Sequence, residues 1–307
     1  MAHLDIDLPQ TVAPETKGEV YRDVLASAKV GDTLELCEGV FDTGQAANVK
    51  QTAGVKIIGQ GSDRTFLLNS WHDDARPGCA FELNDQVAFS RLTLNNNCLA
   101  GQQGQTVGFG AADTPDNCTV TIDDCRLIGR NWCLYSWGGS NGSTVTLKRC
   151  SLYCGRVIVG ACRSSGGDSQ YFDLIDCDLH GDSSLSTYQG EVGNYLTAFA
   201  CRGGRIRALR CTVDLVADPT MLVARGAWVP RLQDLPNEPH QPWNGTSPHS
   251  RIEIRDSHFN ISGGQKQWDA DGQIESNLSG GPVISIYGGT GSDSGQFMTN
   301  GNVLVNA

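Results

Sequence analysis

Several features are scarce in this chain of 307 residues, and each scarcity excludes something. No uninterrupted apolar run approaches the ~18 residues of a membrane-spanning helix. Lysine is rare, with 6 against 17 arginines, and the net charge is −11. A protein that holds a nucleic-acid backbone carries a basic surplus, so nucleic acid is excluded as a partner. Glutamate is also rare, with 9 against 25 aspartates. Aspartate bonds its own backbone in turns while glutamate favours helices, so many turns and little helix are expected. The 37 glycines agree with that. The segment MAHLDIDLPQ offers neither a basic stretch nor an apolar core, so no classical secretion signal is expected. No CxxC occurs and no Cys/His grouping has zinc-finger spacing. The sequence therefore suggests no metal and no cofactor.

What is abundant is apolar residues, at 39% of the chain, which is enough for a sizeable core. Twelve cysteines run from Cys37 to Cys211 and none lies in the last 96 residues. Many fall inside apolar strand patterns, so mostly free, buried thiols are expected, with disulfides and metal ligation as alternatives.

An internal repeat decides the fold class. Six nine-residue segments align: QVAFSRLTL (86–94), TVTIDDCRL (119–127), TVTLKRCSL (144–152), YFDLIDCDL (171–179), RIRALRCTV (205–213) and RIEIRDSHF (251–259). Each has apolar side chains at its second, fourth and ninth positions. The seventh is Leu92, Cys125, Cys150, Cys177, Cys211 or Ser257, at spacings of 33, 25, 27, 34 and 46 residues. Alternation means a strand with one buried face. Its return at coil-like spacing, without helices between, means parallel strands stacked in a solenoid. Second strands are expected at 106–112, 133–137, 157–162, 196–201, 221–225 and 283–287. Because Cys125, Cys150, Cys177 and Cys211 share one register, they are expected to form an inward thiol stack.

The N-terminal region supplies a cap. Thr16-x-x-Glu19 has the form of a capping box opening a helix over 19–29, with Val20, Val24, Leu25 and Ala28 on one face. Residues 1–18 are then an arm. The run Tyr21–Phe41 (YRDVLASAKVGDTLELCEGVF) and the turn Val55–Gly61 (VKIIGQG) resemble the opening helix, strand and next coil of the pectate-lyase-like right-handed parallel β-helix superfamily. The resemblance implies a single all-β domain, a right-handed parallel β-helix over 19–307, of roughly eight to ten coils by repeat spacing. It implies little about chemistry, because members include polysaccharide lyases, hydrolases, epimerases and esterases as well as non-enzymatic phage tailspike and virion proteins.

Four constellations bear on function. Just before the seventh position, charge alternates down the coils as Arg91, Asp124, Arg149, Asp176, Arg210 and Asp256. Equivalent residues on adjacent parallel strands lie ~4.8 Å apart, so opposite signs attract. Exposed pairs contribute little stability, and the ladder is read as fixing register. Arg163, Arg202 and Arg225 follow or end second strands and are candidates for binding an anionic glycan or a partner. The resemblance adds that pectate lyases use an arginine base beside calcium-binding aspartates, but no such aspartate cluster is placed here. A hydrolase of the polygalacturonase type is matched in order by Asp123-Asp124, His180-Gly181 and Arg205-x-Arg207. The adjacent aspartates would face opposite ways on a strand, so they do not form a converging acid–base pair. Last, residues 227–250 form a proline-rich insertion carrying Trp228 and Trp243, which are candidates for sugar stacking or subunit contact.

Two functions are weighed. The first is a non-enzymatic structural or binding protein, a bacteriophage virion component such as a head decoration, tail fibre or spike. It would be assembled in the host cytoplasm as a homo-oligomer, with a trimer favoured, beside other virion proteins. The second is a lyase or glycoside hydrolase acting on an acidic polysaccharide, and cytoplasmic or non-classically secreted locations are its counterparts.

Overall fold

The computed structural model describes residues 1–44, 49–70, 79–97, 105–109, 114–136, 142–162, 170–186, 195–202, 204–218, 223–229, 251–262, 266–270, 283–287, 290–291 and 303–306. Within them the chain winds as a right-handed parallel β-helix whose wall consists of three parallel sheets, of eleven, nine and eight strands. Each strand between the sheet ends pairs with its equivalent one coil earlier and one coil later.

The nine-residue repeat makes a corner. In TVTIDDCRL, Thr119–Asp123 belongs to the eleven-strand sheet and Arg126–Ile128 to the nine-strand sheet. Between them Asp124 adopts φ 52°, in the left-handed region. All six charged ladder residues do the same, with φ from 48° at Asp256 to 55° at Arg91. The ladder therefore runs along the bend between two sheets rather than along a strand. Its amide hydrogen bonds continue the sheets through the bend: Asp124 N donates to Lys148 O at 2.9 Å and Arg149 N to Ile175 O at 3.0 Å.

Inside the bend the apolar positions stack in columns. Val120, Val145, Phe172, Ile206 and Ile252 share one register, as do Leu127, Leu152, Leu179, Val213 and Phe259. All are buried. Burial at about 25 cal/mol per Å2 makes these columns the main stabilising force.

The strand at 283–287 departs from expectation. It pairs with Arg251–Arg255 in the eleven-strand sheet, so it is a first strand of its coil. The eighth strand of the third sheet is instead Lys266–Ala270. An apolar five-residue run has the same appearance on either sheet, and only pairing separates them.

The cap also differs from its expected bounds. Residues 1–18 are more than an arm: β1 (His3–Ile6) is the first strand of the eleven-strand sheet and pairs with β2 (Thr33–Leu36). The helix α1 spans Pro14–Ser27, and its N-cap is Ala13 with no side-chain cap bond. Pro14 takes the first helical position, where its missing N–H costs nothing, so Thr16 lies inside the helix and its box does not form. The buried face carries Lys17, Gly18, Tyr21 and Leu25, while Val20 and Val24 pack at its margin. Tyr21 is sealed in the core and its hydroxyl donates to Gln51 Oε1 at 2.6 Å. Burial raises the pKa of that phenol. At the other end of α1, Thr52 Oγ1 donates to the Leu25 carbonyl at 2.7 Å.

Candidate functional site

Arg202, Arg225 and Trp228 all fall on the eight-strand sheet, within Tyr195–Arg202 and Val223–Val229. Trp228 is therefore a strand residue and not part of the insertion, because the strand runs on to Val229. The arginines do not share a rung column. Arg202 is aligned with Cys162, whereas Arg225 is aligned with Thr197. Local sequence likeness at the strand ends suggested a row, but the register offsets Arg225 by five residues. Arg163 and Trp243 lie outside the described residues.

The described part of this sheet carries a cluster that the repeat pattern did not single out. Gly108, Tyr135, Gly160, Ala200 and Trp228 form one register column. Small residues thus separate the two aromatic positions. Gly160 has to be glycine, since a Cβ there would come within 2.8 Å of the Tyr135 ring. Trp132 meets Tyr135 edge-on, with centroids 4.9 Å apart at 71°. The Arg156 guanidinium lies over Trp132, 5.5 Å from its centroid. A cation over an indole is attracted by the negative ring face. Trp132, Tyr135 and Arg156 are all buried, at 8%, 6% and 4% exposure. Thr197, whose amide donates to Arg156 O at 2.7 Å, is fully buried and its Oγ1 has no hydrogen-bond partner among the described residues. The sequence signal for this cluster was weak. Trp132 opens its strand and Arg156 falls in the turn before the next, outside the aligned nine residues.

The hydrolase-type residues are spread over two sheets. Asp123, Arg205 and Arg207 belong to the eleven-strand sheet, and each is used in an ion pair: Arg149 with Asp123 at 2.5 Å, Arg205 with Glu253 at 3.2 Å, Arg207 with Asp173 at 2.8 Å. His180 is on the nine-strand sheet, stacked on Tyr153 at 4.7 Å and 3.7 Å from Asp214. No converging carboxylate pair is formed from them.

Down the charge ladder, one rung-to-rung contact is bidentate. Arg210 Nε and Nη2 donate to Asp176 at 2.6 and 2.9 Å. The Arg210 hydrogen bond, with Arg210 and Arg149 charges nearby, lowers the Asp176 pKa below the ordinary carboxylate value. Arg149 turns away from the ladder to Asp123.

The cysteines at the seventh position sit just inside the bend. Cys125, Cys150, Cys177 and Cys211 are buried and not in disulfides. Each thiol donates to the carbonyl two residues back, at 3.3, 3.2, 3.4 and 3.5 Å. Ser257 Oγ makes the same bond at 2.8 Å. The position thus takes a small side chain able to donate a weak bond across the bend. Burial pushes the Cys125 thiol up to about 12, so that thiol is inert as a nucleophile.

Neither a family model nor a curated protein sequence matches the chain. Solved structures do. A pectin methylesterase in complex with a hexasaccharide is 12% identical, covering 93% of this chain and 88% of its own, at a TM-score of 0.59. The pectin methylesterase PemA from Erwinia chrysanthemi is 13% identical, covering 100% and 92%, at 0.54. The enzyme from carrot is 14% identical, covering 93% and 83%, at 0.55. The chain therefore shares the right-handed parallel β-helix fold of these solved structures. At these identities the likeness is one of fold.

Proposed function

We propose that this protein is polysaccharide-active and takes an acidic glycan chain across the eight-strand sheet. The observation that carries this reading is the placement of Arg202, Arg225 and Trp228 on neighbouring strands of one sheet; the Arg156, Trp132 and Tyr135 contact beside them is buried and serves packing. Guanidinium groups recognise carboxylates, and aromatic faces pack against the C–H faces of sugar rings. The fold neighbours support the reading, since several are pectin methylesterases and two are described in complex with a hexasaccharide. No observation in the fold favours the virion reading over it.

The test is binding to polygalacturonate, methyl-esterified pectin and alginate, with neutral dextran as control. Saturable binding to the uronate polymers alone is expected, and Arg225→Gln or Arg202→Gln should weaken it about tenfold or more. Release of methanol, of unsaturated uronate ends or of reducing ends then separates esterase, lyase and hydrolase. Equal affinity for dextran, or no binding to any polymer, would overturn the reading.

A further inference from the structure

A second site lies on the outer surface at the N-terminal end of the solenoid, away from the eight-strand sheet. His3 and Asp5 are two residues apart on β1, so their side chains emerge on the same face. The register sets Asp5 opposite Glu35 on β2. The result is the single group of three metal-ligating side chains, among the described residues, whose donor atoms all lie within 4.8 Å of one another.

The geometry is more than an acidic patch. His3 Nε2 stands between the two carboxylates, 2.8 Å from Asp5 Oδ1 and 3.0 Å from Glu35 Oε2. One ring nitrogen has one proton to give, and it faces two carboxylate oxygens. A cation held by all three satisfies them together. Tetrahedral ligands at ~2.0–2.1 Å from a zinc ion are separated by roughly 3.3 Å, close to the two distances from His3. Glu35 is also fixed from outside the trio, because Gln60 Nε2 donates to its other oxygen, Oε1, at 3.1 Å. That bond turns Oε2 toward His3, the kind of outer support that orients metal ligands. The backbone under all three is paired sheet, so the donors are held on a rigid base. The neighbouring Asp32 is not a competing ligand, since its oxygens accept from the amides of Ala2 and Lys29.

We propose that His3, Asp5 and Glu35 bind a borderline divalent cation of the zinc type, with water completing its coordination. One imidazole and two carboxylates suit zinc over calcium, which prefers an all-oxygen shell. The ion would tie β1, the terminal strand of the eleven-strand sheet, to β2.

The test is calorimetric titration of chelator-treated full chain with zinc chloride, and separately with calcium chloride. One saturable zinc site per chain is expected, with a melting temperature that rises with zinc concentration. His3→Ala and Glu35→Gln should each weaken binding about tenfold or more. Both sit on an exposed sheet face, so their metal-free melting temperatures check that folding is intact. Absence of saturable zinc binding overturns the proposal. So does a Glu35→Gln variant that binds as well as the unchanged chain, or a site that prefers calcium.

Discussion

At the residue scale, the bend between the eleven- and nine-strand sheets places opposite demands on one position. The backbone there is left-handed, which costs a non-glycine residue on the order of 1 kcal/mol. Glycine would relieve the strain, yet the sequence uses charged side chains. At Asp176 the reason is visible, because its carboxylate receives two bonds from Arg210. Asparagine tolerates the left-handed region and removes only the charge. Asp176→Asn is therefore expected to lower the melting temperature at neutral pH. Folding lowers the Asp176 pKa, so its contribution is full above the ordinary aspartate value of about 3.9 and is lost as pH falls through the lower folded value. The gap between the two proteins should close as pH drops below about 4. A gap that stays constant with pH would show that the ion pair is not its source.

At the element scale, α1 docks on the first coil through an unusually close approach. A Cβ on Gly18 would overlap the Asp42 carbonyl, so the helix lies directly on backbone. Glycine inside a helix costs about 1 kcal/mol relative to alanine, and here that cost is accepted for contact. Beside it Lys17 folds its stem inward and sets its ammonium 5.8 Å from the Phe41 ring centre. Gly18→Ala should therefore destabilise the protein, by about 1–3 kcal/mol or more, despite its better helix propensity. Asp23→Ala, on the exposed side of the same helix, should stay within about 0.5 kcal/mol. Urea melts of the two variants check this, and a stabilised Gly18→Ala would mean that the helix stands off the coil.

At the scale of the whole molecule, each coil touches chiefly the coils before and after it, so the fold is close to one-dimensional. Such a rod has few moving parts, and its function has to come from surface groups on the sheets and from insertions. The longest repeat spacing, 46 residues, surrounds the proline-rich stretch after Val229. Prolines reduce the freedom that such a segment loses on docking, and tryptophan is costly to leave in water. Self-association through this stretch, with a trimer favoured, is the expected outcome. Light scattering should give a multiple of 32.9 kDa, and shortening the stretch should reduce it. A monomer at high concentration would remove that role.

The sequence by itself determined the solenoid, because a parallel stack demands the same side-chain pattern at every coil. Val120, Val145, Phe172 and Ile206 announce one column without any coordinates. It also announced the seventh-position cysteines, since a shared register implies a shared environment. It did not reveal that the nine residues span two sheets, because a left-handed bend at Arg149 or Asp176 carries no compositional mark when the residue is not glycine. The helix boundary was lost to Pro14, which outweighs a capping box that lies one turn too late. Three-dimensional register alone decided the candidate sites. It separated Arg202 from Arg225, joined Arg156 to Trp132, and set Glu35 beside His3 across thirty-two positions of chain. Local pattern reports which face a side chain takes, while contact between coils depends on how many residues each turn inserts between its strands.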